Sequence, residues 1–336
     1  MLRTTWLMPC LLLSLAMTAF SAYCQDSNWG LFKQNYLSQD GRIIDHENGD
    51  ISHSEGQGYG MLLAVVNDDP ATFEKVWRWT RNTLLRPSLW LFAWRYDPHE
   101  RKVTDDNNAS DGDTLIAWAL LLAGNKWHDE SYLTASENIQ DAIINCLVIE
   151  QDSRTLLLPG LTGFTKDDGY ILNPSYFVFP AWESFWQQRH NNIWLKLKKS
   201  SLEILTKARF GKSQLPSDWI FVKNSGEVMP AANWPARFSY DAIRIPLYLS
   251  LSDAQQHSTE NFRHFWAGYT RNDTPAWVNV ADNERASYPM SGGILAVRDL
   301  TMGDYPQMET SLRSGEGYYL SALHMLSLFA ASLKTH

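Results

Sequence analysis

Apolar and polar positions follow a helical period along most of the chain, and the contrast between segments predicts two kinds of helix. Residues 114–123, TLIAWALLLA, are apolar on every side, as in a helix covered all round by protein. Residues 130–148 alternate charged and apolar positions, the pattern of an outer amphipathic helix. Helix starts are predicted near Asn28, Glu55, Ala71, Gly112, Glu130, Ser175, Asn192, Tyr240, Ala254, Met290, Tyr305 and Glu316. In NDDPATFEKVWRW, Asp69 is placed to cap and Pro70 suits a first helical turn. An inner ring of apolar helices wrapped by an outer amphipathic ring accounts for the pattern and predicts an all-α chain.

The connections are unequal. Long ones fall at 37–54, 86–110, 150–174, 209–239 and 269–289, rich in Gly, Pro, Asn, Asp and aromatic residues. Loops of that length in a compact domain usually carry function. No low-complexity linker or break in composition divides the chain, which reads as one domain over 25–336 behind a leader.

The leader is residues 1–24. Arg3 precedes an apolar stretch from Trp6 to Phe20, and small residues follow. The stretch is too short for a stable membrane span and has the layout of a secretory signal peptide, which predicts a secreted or periplasmic protein. Composition, with 44% hydrophobic and 20% charged residues among 336, is that of a globular chain. The net charge is −8, and Arg3 is the only charged residue in the leader, so the exported chain is more negative still. Such a protein repels phosphate backbones and anionic lipid, which argues against a nucleic-acid partner. Three cysteines, of which Cys10 and Cys24 belong to the leader or its edge, make no disulfide framework. Cys146, in DAIINCLVIE, reads as a buried thiol. No HExxH, P-loop or dinucleotide glycine pattern occurs, and neither metal nor cofactor is expected.

The candidate chemistry lies in carboxylates at helix starts. Glu55 opens EGQGYGMLLAVV, Asp111 and Asp113 open DGDTLIAWALLLA, Asp241 opens DAIRIPLYLSL, and Glu316 in SGEGYYLSALHML echoes the first. Each alone reads first as a cap suited to the helix dipole. In a ring of parallel inner helices, however, their starts gather at one end and several carboxylates face one cavity. Gly56, Gly58, Gly60 and Gly112 would let a bulky substrate approach the backbone. That set suits glycoside hydrolysis, which needs one carboxyl to protonate the leaving oxygen and another to handle water or attack carbon. A helix N-terminus favours the ionised form, whereas a general acid must keep its proton. A second carboxylate within a few ångströms would resolve this by raising one partner's pKa, and Asp111 is the expected neighbour of Glu55. Arg244, three residues after Asp241, would share its helix face and keep it ionised. His53, just before the Glu55 segment, reads as a solvated loop histidine.

At ASDGDTLIAWALLLAGNKW, residues 109–127, the chain resembles glycoside hydrolase family eight. SEGQGYGM at 54–61 and SYDAIRIPLYL at 239–249 resemble that family's acid and base segments. FKQNYLSQDGRIID, NPSY and the leader resemble the exported endoglucanases encoded with bacterial cellulose synthases. The resemblance, from about Trp29 to the C-terminus, implies an (α/α)6 barrel of six helical hairpins with long substrate-binding loops at one end. It further implies hydrolysis of β-1,4-glucan with inversion, Glu55 as general acid, Asp241 as general base, and Asp111 binding and distorting the sugar at the cleavage point. The implied partners are a β-1,4-glucan chain and the cellulose synthase and export complex.

A glucan chain has apolar C–H faces and a rim of hydroxyls, so aromatic rings should cover the faces. Trp94, Tyr176, Trp234, Tyr240 and Tyr318 are the candidates, with Arg244 for the rim; Trp118, inside an apolar helix, reads as core. Two other readings remain open: a non-catalytic glucan-binding component of a cellulose export machine, and the same fold acting on chitosan, xylan or mixed-linkage glucan.

Overall fold

The computed structural model describes residues 27–253, 256–313 and 315–334. The leader at 1–24 and the helix start at Ala254 lie outside the described residues. Eleven α-helices are described: α1 (27–36), α2 (Ser54–Val66), α3 (Pro70–Thr83), α4 (Ser110–Trp127), α5 (Glu130–Leu147), α6 (Phe179–Arg189), α7 (Ile193–Lys207), α8 (Arg244–Leu251), α9 (Glu260–Trp266), α10 (Gly292–Met302) and α11 (Tyr318–Ser332).

Six of them close a ring. α2 packs on α4, α4 on α6, α6 on α8, α8 on α10, α10 on α11 and α11 on α2. Their sequences explain the placement: every residue of α4 from Ser110 to Leu121 is buried, as is α10 from Gly292 to Thr301. The outer helices carry stripes instead. α3 buries Phe73, Val76, Trp77 and Thr80 at helical spacing and lies on α2. α5 lies on α4, α7 on α6 and α9 on α10. α1 meets α11 through the edge contact of Tyr36 with Tyr318, ring centroids 6.4 Å apart. At the sixth outer position the predicted helix at Tyr305 is a single 3-10 turn, Tyr305–Gln307. The result is the expected all-α (α/α)6 barrel, with one outer helix reduced to a turn.

Connection length sets polarity. Inner helices pass to outer ones by short turns at 67–69, 128–129 and 190–192. Outer helices return by the long segments 37–53, 84–109, 148–178, 208–243 and 267–291. The inner helices therefore run in one direction, and their N-termini share the end that carries the long loops. Asp69 caps α3 as predicted, accepting the Thr72 amide at 3.0 Å with Pro70 in the first turn.

The long loops are not structureless. Leu91–Asp97 and Lys102–Asn108 form an antiparallel hairpin, and Ser52–His53 pairs with its first strand through Tyr96 and Arg95. The two residues before α2 are thus tied to the strand that bears Trp94. A second sheet joins two loops: Thr165–Lys166, Gly169–Leu172, Ile220–Lys223 and Val228–Pro230, with Leu172 opposite Ile220. This pairing draws the segment after Leu172 toward the segment before Ile220. Cys146 is half-buried rather than fully buried, because it lies at the edge of the stripe that α5 turns inward. No helix among the described residues is long and apolar enough to cross a membrane.

Candidate active site

The helix starts do gather. Glu55 is the second residue of α2 and Asp111 the second of α4. Asp241 lies in the turn before α8 rather than in its first turn, a correction to the predicted start near Tyr240.

Small residues bring α2 and α4 together. A Cβ on Gly112 would lie 2.1 Å from Ser54 Oγ and 2.8 Å from the Glu55 nitrogen. One on Gly58 would lie 2.6 Å from Leu115 Cβ, and one on Gly60 2.6 Å from Ile43 Cγ1. These glycines admit neighbouring protein, not the substrate proposed from sequence. The space they free is what allows Glu55 and Asp111 to meet.

They meet on Arg244. Its Nη1 donates to Glu55 Oε2 at 2.9 Å and to Asp111 Oδ2 at 2.8 Å. Its Nη2 donates to Asp241 Oδ1 at 3.0 Å and to Ser175 Oγ at 2.7 Å. The Ser175 hydroxyl in turn donates to Asn173 Oδ1 at 2.6 Å, and Asn173 Nδ2 donates to Asp241 Oδ2 at 3.1 Å. From the other side Tyr318 donates to Glu55 Oε1 at 3.0 Å. One guanidinium, 1% exposed, thus holds three carboxylates whose exposure differs: Asp111 2%, Glu55 18%, Asp241 38%. Glu55 and Asp241 present oxygens to solvent, whereas Asp111 works from behind.

Burial pushes the Asp111 carboxyl up to about 6; the Arg244 guanidinium opposes this and the neighbouring Glu55 charge adds to it. Asp113 is buried too, with its carboxyl raised to about 7, but it accepts the Phe92 amide at 2.8 Å and Asn108 Nδ2 at 2.6 Å, so it pins the hairpin to α4.

A cavity of about 410 Å³ opens over this cluster. Glu55, Asp111, Asp241 and Arg244 lie in its wall, with Trp94 and Tyr176. Trp94 and its neighbour Arg95 both line it, although successive strand residues should face opposite ways; the strand register shifts there, which re-aims a side chain. Tyr176 stands over Arg244, its ring centroid 5.6 Å from the guanidinium carbon. Tyr318 is fully buried and reaches the site only through Glu55. Trp234 lies outside the cavity wall, stacked on Trp219 at 5.0 Å; Trp219 stacks on Phe164 at 5.8 Å and meets Tyr176 edge-on. Tyr240 also lies outside that wall, 40% exposed, with its carbonyl accepting from Tyr319 Oη.

Three sequence readings change. His53 is not solvated: Nδ1 accepts the Gly56 amide at 3.1 Å and caps α2, so the hydrogen lies on Nε2, 3.2 Å from Asp45. Glu316 does not echo Glu55. It is buried beside Gly292, accepts the Arg313 amide, and faces His324. Trp118 is core, as expected. The sequence reading missed Ser175, Asn173, Trp219 and Asp218. NPSY held the first two, and Asn before Pro was a readable turn signal; nothing local marked the others.

The Glycosyl hydrolases family 8 pattern matches residues 4–332 of the chain. An endoglucanase of Cellulomonas uda is 47% identical over 277 residues, covering 82% of this chain and 77% of its own. A probable endoglucanase of Novacetimonas hansenii is 36% identical over 310 residues, 91% of each chain. Among solved structures, endoglucanase Cel10 of Klebsiella pneumoniae superposes with a TM-score of 0.89 at 44% identity, covering 91% of this chain and 99% of that one.

Proposed function

The chain belongs to glycosyl hydrolases family 8, and from that premise we propose that it is an exported endo-β-1,4-glucanase that cleaves with inversion, Glu55 acting as general acid and Asp241 as general base. The observation that carries this reading is the Arg244 bridge. Glu55 and Asp241 sit on different nitrogens of one guanidinium, both partly exposed, in the wall of one cavity. They are held apart by the width of that group and two hydrogen bonds. An inverting reaction needs such a gap, roughly 6.5–9.5 Å between the carboxyl groups, to admit the attacking water.

The roles follow from the surroundings. Asp241 keeps contact with Arg244 and Asn173, both donors, which favours the charged carboxylate that a base needs. Glu55 shares Arg244 Nη1 with Asp111, whose burial raises its own carboxyl to about 6 and sets it beside the acid. Cleavage then proceeds in one displacement. The proton held at Glu55 passes to the glycosidic oxygen as the C–O bond breaks. Asp241 takes a proton from the water that attacks the anomeric carbon from the opposite face. Asp111, too buried to reach carbon, supports the acid and the sugar beside it. Trp94 and Tyr176 offer their faces to the apolar sides of the ring. The family resemblance supports uncharged glucan as the substrate, and the leader-like residues 1–24 support an exported enzyme working beside a cellulose synthase and export complex.

Glu55→Gln and Asp241→Asn each keep size and lose the acid or base function. Each should lower sugar release from carboxymethylcellulose by at least about 10³-fold while glucan binding stays within a few-fold. Undiminished release by either variant removes that residue from its role. Retained binding with no wild-type release would favour the non-catalytic glucan-binding reading.

A further inference from the structure

Asp218 grips the turn that presents Asp241. It lies just before the strand Ile220–Lys223, far from α8 in sequence, and its own amide donates to Arg237 O at 2.6 Å. Its Oδ1 accepts the Ser239 amide at 2.9 Å and the Ala242 amide at 2.8 Å, and its Oδ2 pairs with the Ser239 hydroxyl. The two amides flank Asp241 on either side. The turn is otherwise closed by Ile243 N to Ser239 O at 3.0 Å and Arg244 N to Asp241 O at 3.1 Å. A neutral Asn or Ser would satisfy two amides equally well. Placing a buried carboxyl beside a second carboxylate is a poor choice for a clamp alone, because each charge repels the other.

We propose that Asp218 is a positioning residue for the hydrolysis: it fixes the turn from which Asp241 enters the cleft, and its charge strengthens Asp241 as a base. This rests on the reading of Asp241 as the general base. Burial, with the Asp241 charge second, raises the Asp218 carboxyl to about 7, so it ionises only as the solution nears neutrality. Among the described residues, the charged or titratable groups around Asp241 are Arg244 on α8, Tyr176 on the loop before α6, Tyr319 on α11, Asp218 and, across the shared guanidinium, Glu55 on α2 and Asp111 on α4. Of these, Asp111 and Asp218 both change charge between pH 5 and neutrality, and the substitution below alters Asp218 alone. When Asp218 ionises, a second negative charge stands beside the turn that carries Asp241 and favours proton transfer from the attacking water.

Asp218→Asn separates charge from geometry. The amide oxygen can still accept both backbone N–H groups, and its nitrogen can donate to the Ser239 hydroxyl. Kinetics of the full chain on cellohexaose from pH 4.5 to 7.5 should show kcat lowered about 10-fold at pH 7.5, an effect small beside the roughly 10²–10⁴ of general base catalysis itself. The loss should shrink to within about twofold at pH 5, where Asp218 carries its proton, and KM should stay within about twofold throughout. A ratio of wild-type to variant kcat that does not change with pH overturns the proposal, as does wild-type kcat at pH 7.5. If the variant fails to fold, Ser239→Ala removes only the hydroxyl contact. It must then lower kcat in the same direction by about two- to fivefold with KM unchanged, and no change overturns the proposal. Asp241→Asn is run alongside. Activity retained there breaks the base assignment whatever Asp218 does, whereas an inactive Asp241→Asn beside an unaffected Asp218→Asn sinks this inference alone.

Discussion

Among the described residues, a cluster of charge at α10 and the one at the cleft are built on opposite principles. Toward the C-terminal end of α10, Asp299 is fully buried and receives Arg271 Nε at 2.8 Å and Arg298 Nη1 at 2.9 Å. Arg298 also binds Asp304, so two arginines face two acids. At the cleft one arginine faces Glu55, Asp111 and Asp241. The first cluster is balanced. The second has an excess of negative charge, and burial, with the neighbouring Glu55 charge adding to it, leaves Asp111 with a carboxyl raised to about 6. Groups held away from their ordinary protonation range, in a cavity, mark a working site rather than a brace.

The largest effect should come from removing the shared cation. Arg244→Met leaves three carboxylates facing one another. Breaking a buried ion pair by deleting one partner costs about 3–5 kcal/mol, and activity should fall by at least about 10³-fold. The Asp111 carboxyl, already raised by burial, loses the guanidinium that opposes the rise, so the stability it allows is present at low pH and lost as pH rises. Urea denaturation should therefore find the variant far weaker than wild type at pH 7 and closer to it at pH 4.5. Arg298→Met is the control from the balanced cluster. Its stability loss is of the same order, about 3–5 kcal/mol, but the folded fraction should keep wild-type kcat. Equal catalytic damage from both variants would erase the distinction between the clusters.

A smaller effect comes from Asp111. Its carboxyl is raised from 3.8 to about 6 in the folded chain. Stability is therefore full below the unfolded value and declines as pH passes from about 4 to 6, by about 2–3 kcal/mol at the limit. Asp111→Asn removes that decline. Relative to wild type it should gain stability between pH 4 and pH 7, while its kcat falls and the alkaline limb of the rate profile moves to lower pH. A variant whose stability difference from wild type is flat across that range would contradict the raised carboxyl.

Much of this was legible in the chain, for reasons that differ by residue. The inner helices were readable because burial on all sides leaves no polar face, as in TLIAWALLLA. Glu55 and Asp111 were readable because an acid opening such a helix is conspicuous. Arg244 was legible only in part: its spacing tied it to Asp241, but helical period says nothing about its reach to residues 133 and 189 positions away. The hairpin Leu91–Asp97 with Lys102–Asn108 was hidden because its second strand, KVTDDNN, is polar and mostly exposed, without the alternation that marks a half-buried strand. Asp218 and Asn173 act across a sheet pairing, and no local pattern reports such contacts. The glycines were misread because a residue without a side chain looks the same whether a ligand or a neighbouring helix needs the room.

That last confusion gives the finest comparison between cleft and periphery. Gly30 lies on the exposed face of α1, where an added Cβ meets nothing within 4 Å. Gly112 sits where α4 touches the start of α2, and an added Cβ would meet Ser54 Oγ at 2.1 Å. Neither is at positive φ, so backbone strain does not separate them. Gly30→Ala should raise stability by about 0.4–1 kcal/mol, because alanine narrows the unfolded ensemble and suits a helix, and it should leave kcat unchanged. Gly112→Ala should lower stability by about 1–3 kcal/mol, since an overpacked contact must push the helices apart. The same displacement moves Glu55 off Arg244, so kcat should drop further than the lost stability alone explains. Thermal melts beside kinetics on cellohexaose resolve both effects. If Gly112→Ala lost stability yet kept its kcat, the close approach of α2 to α4 would serve the core and not the placement of the acid.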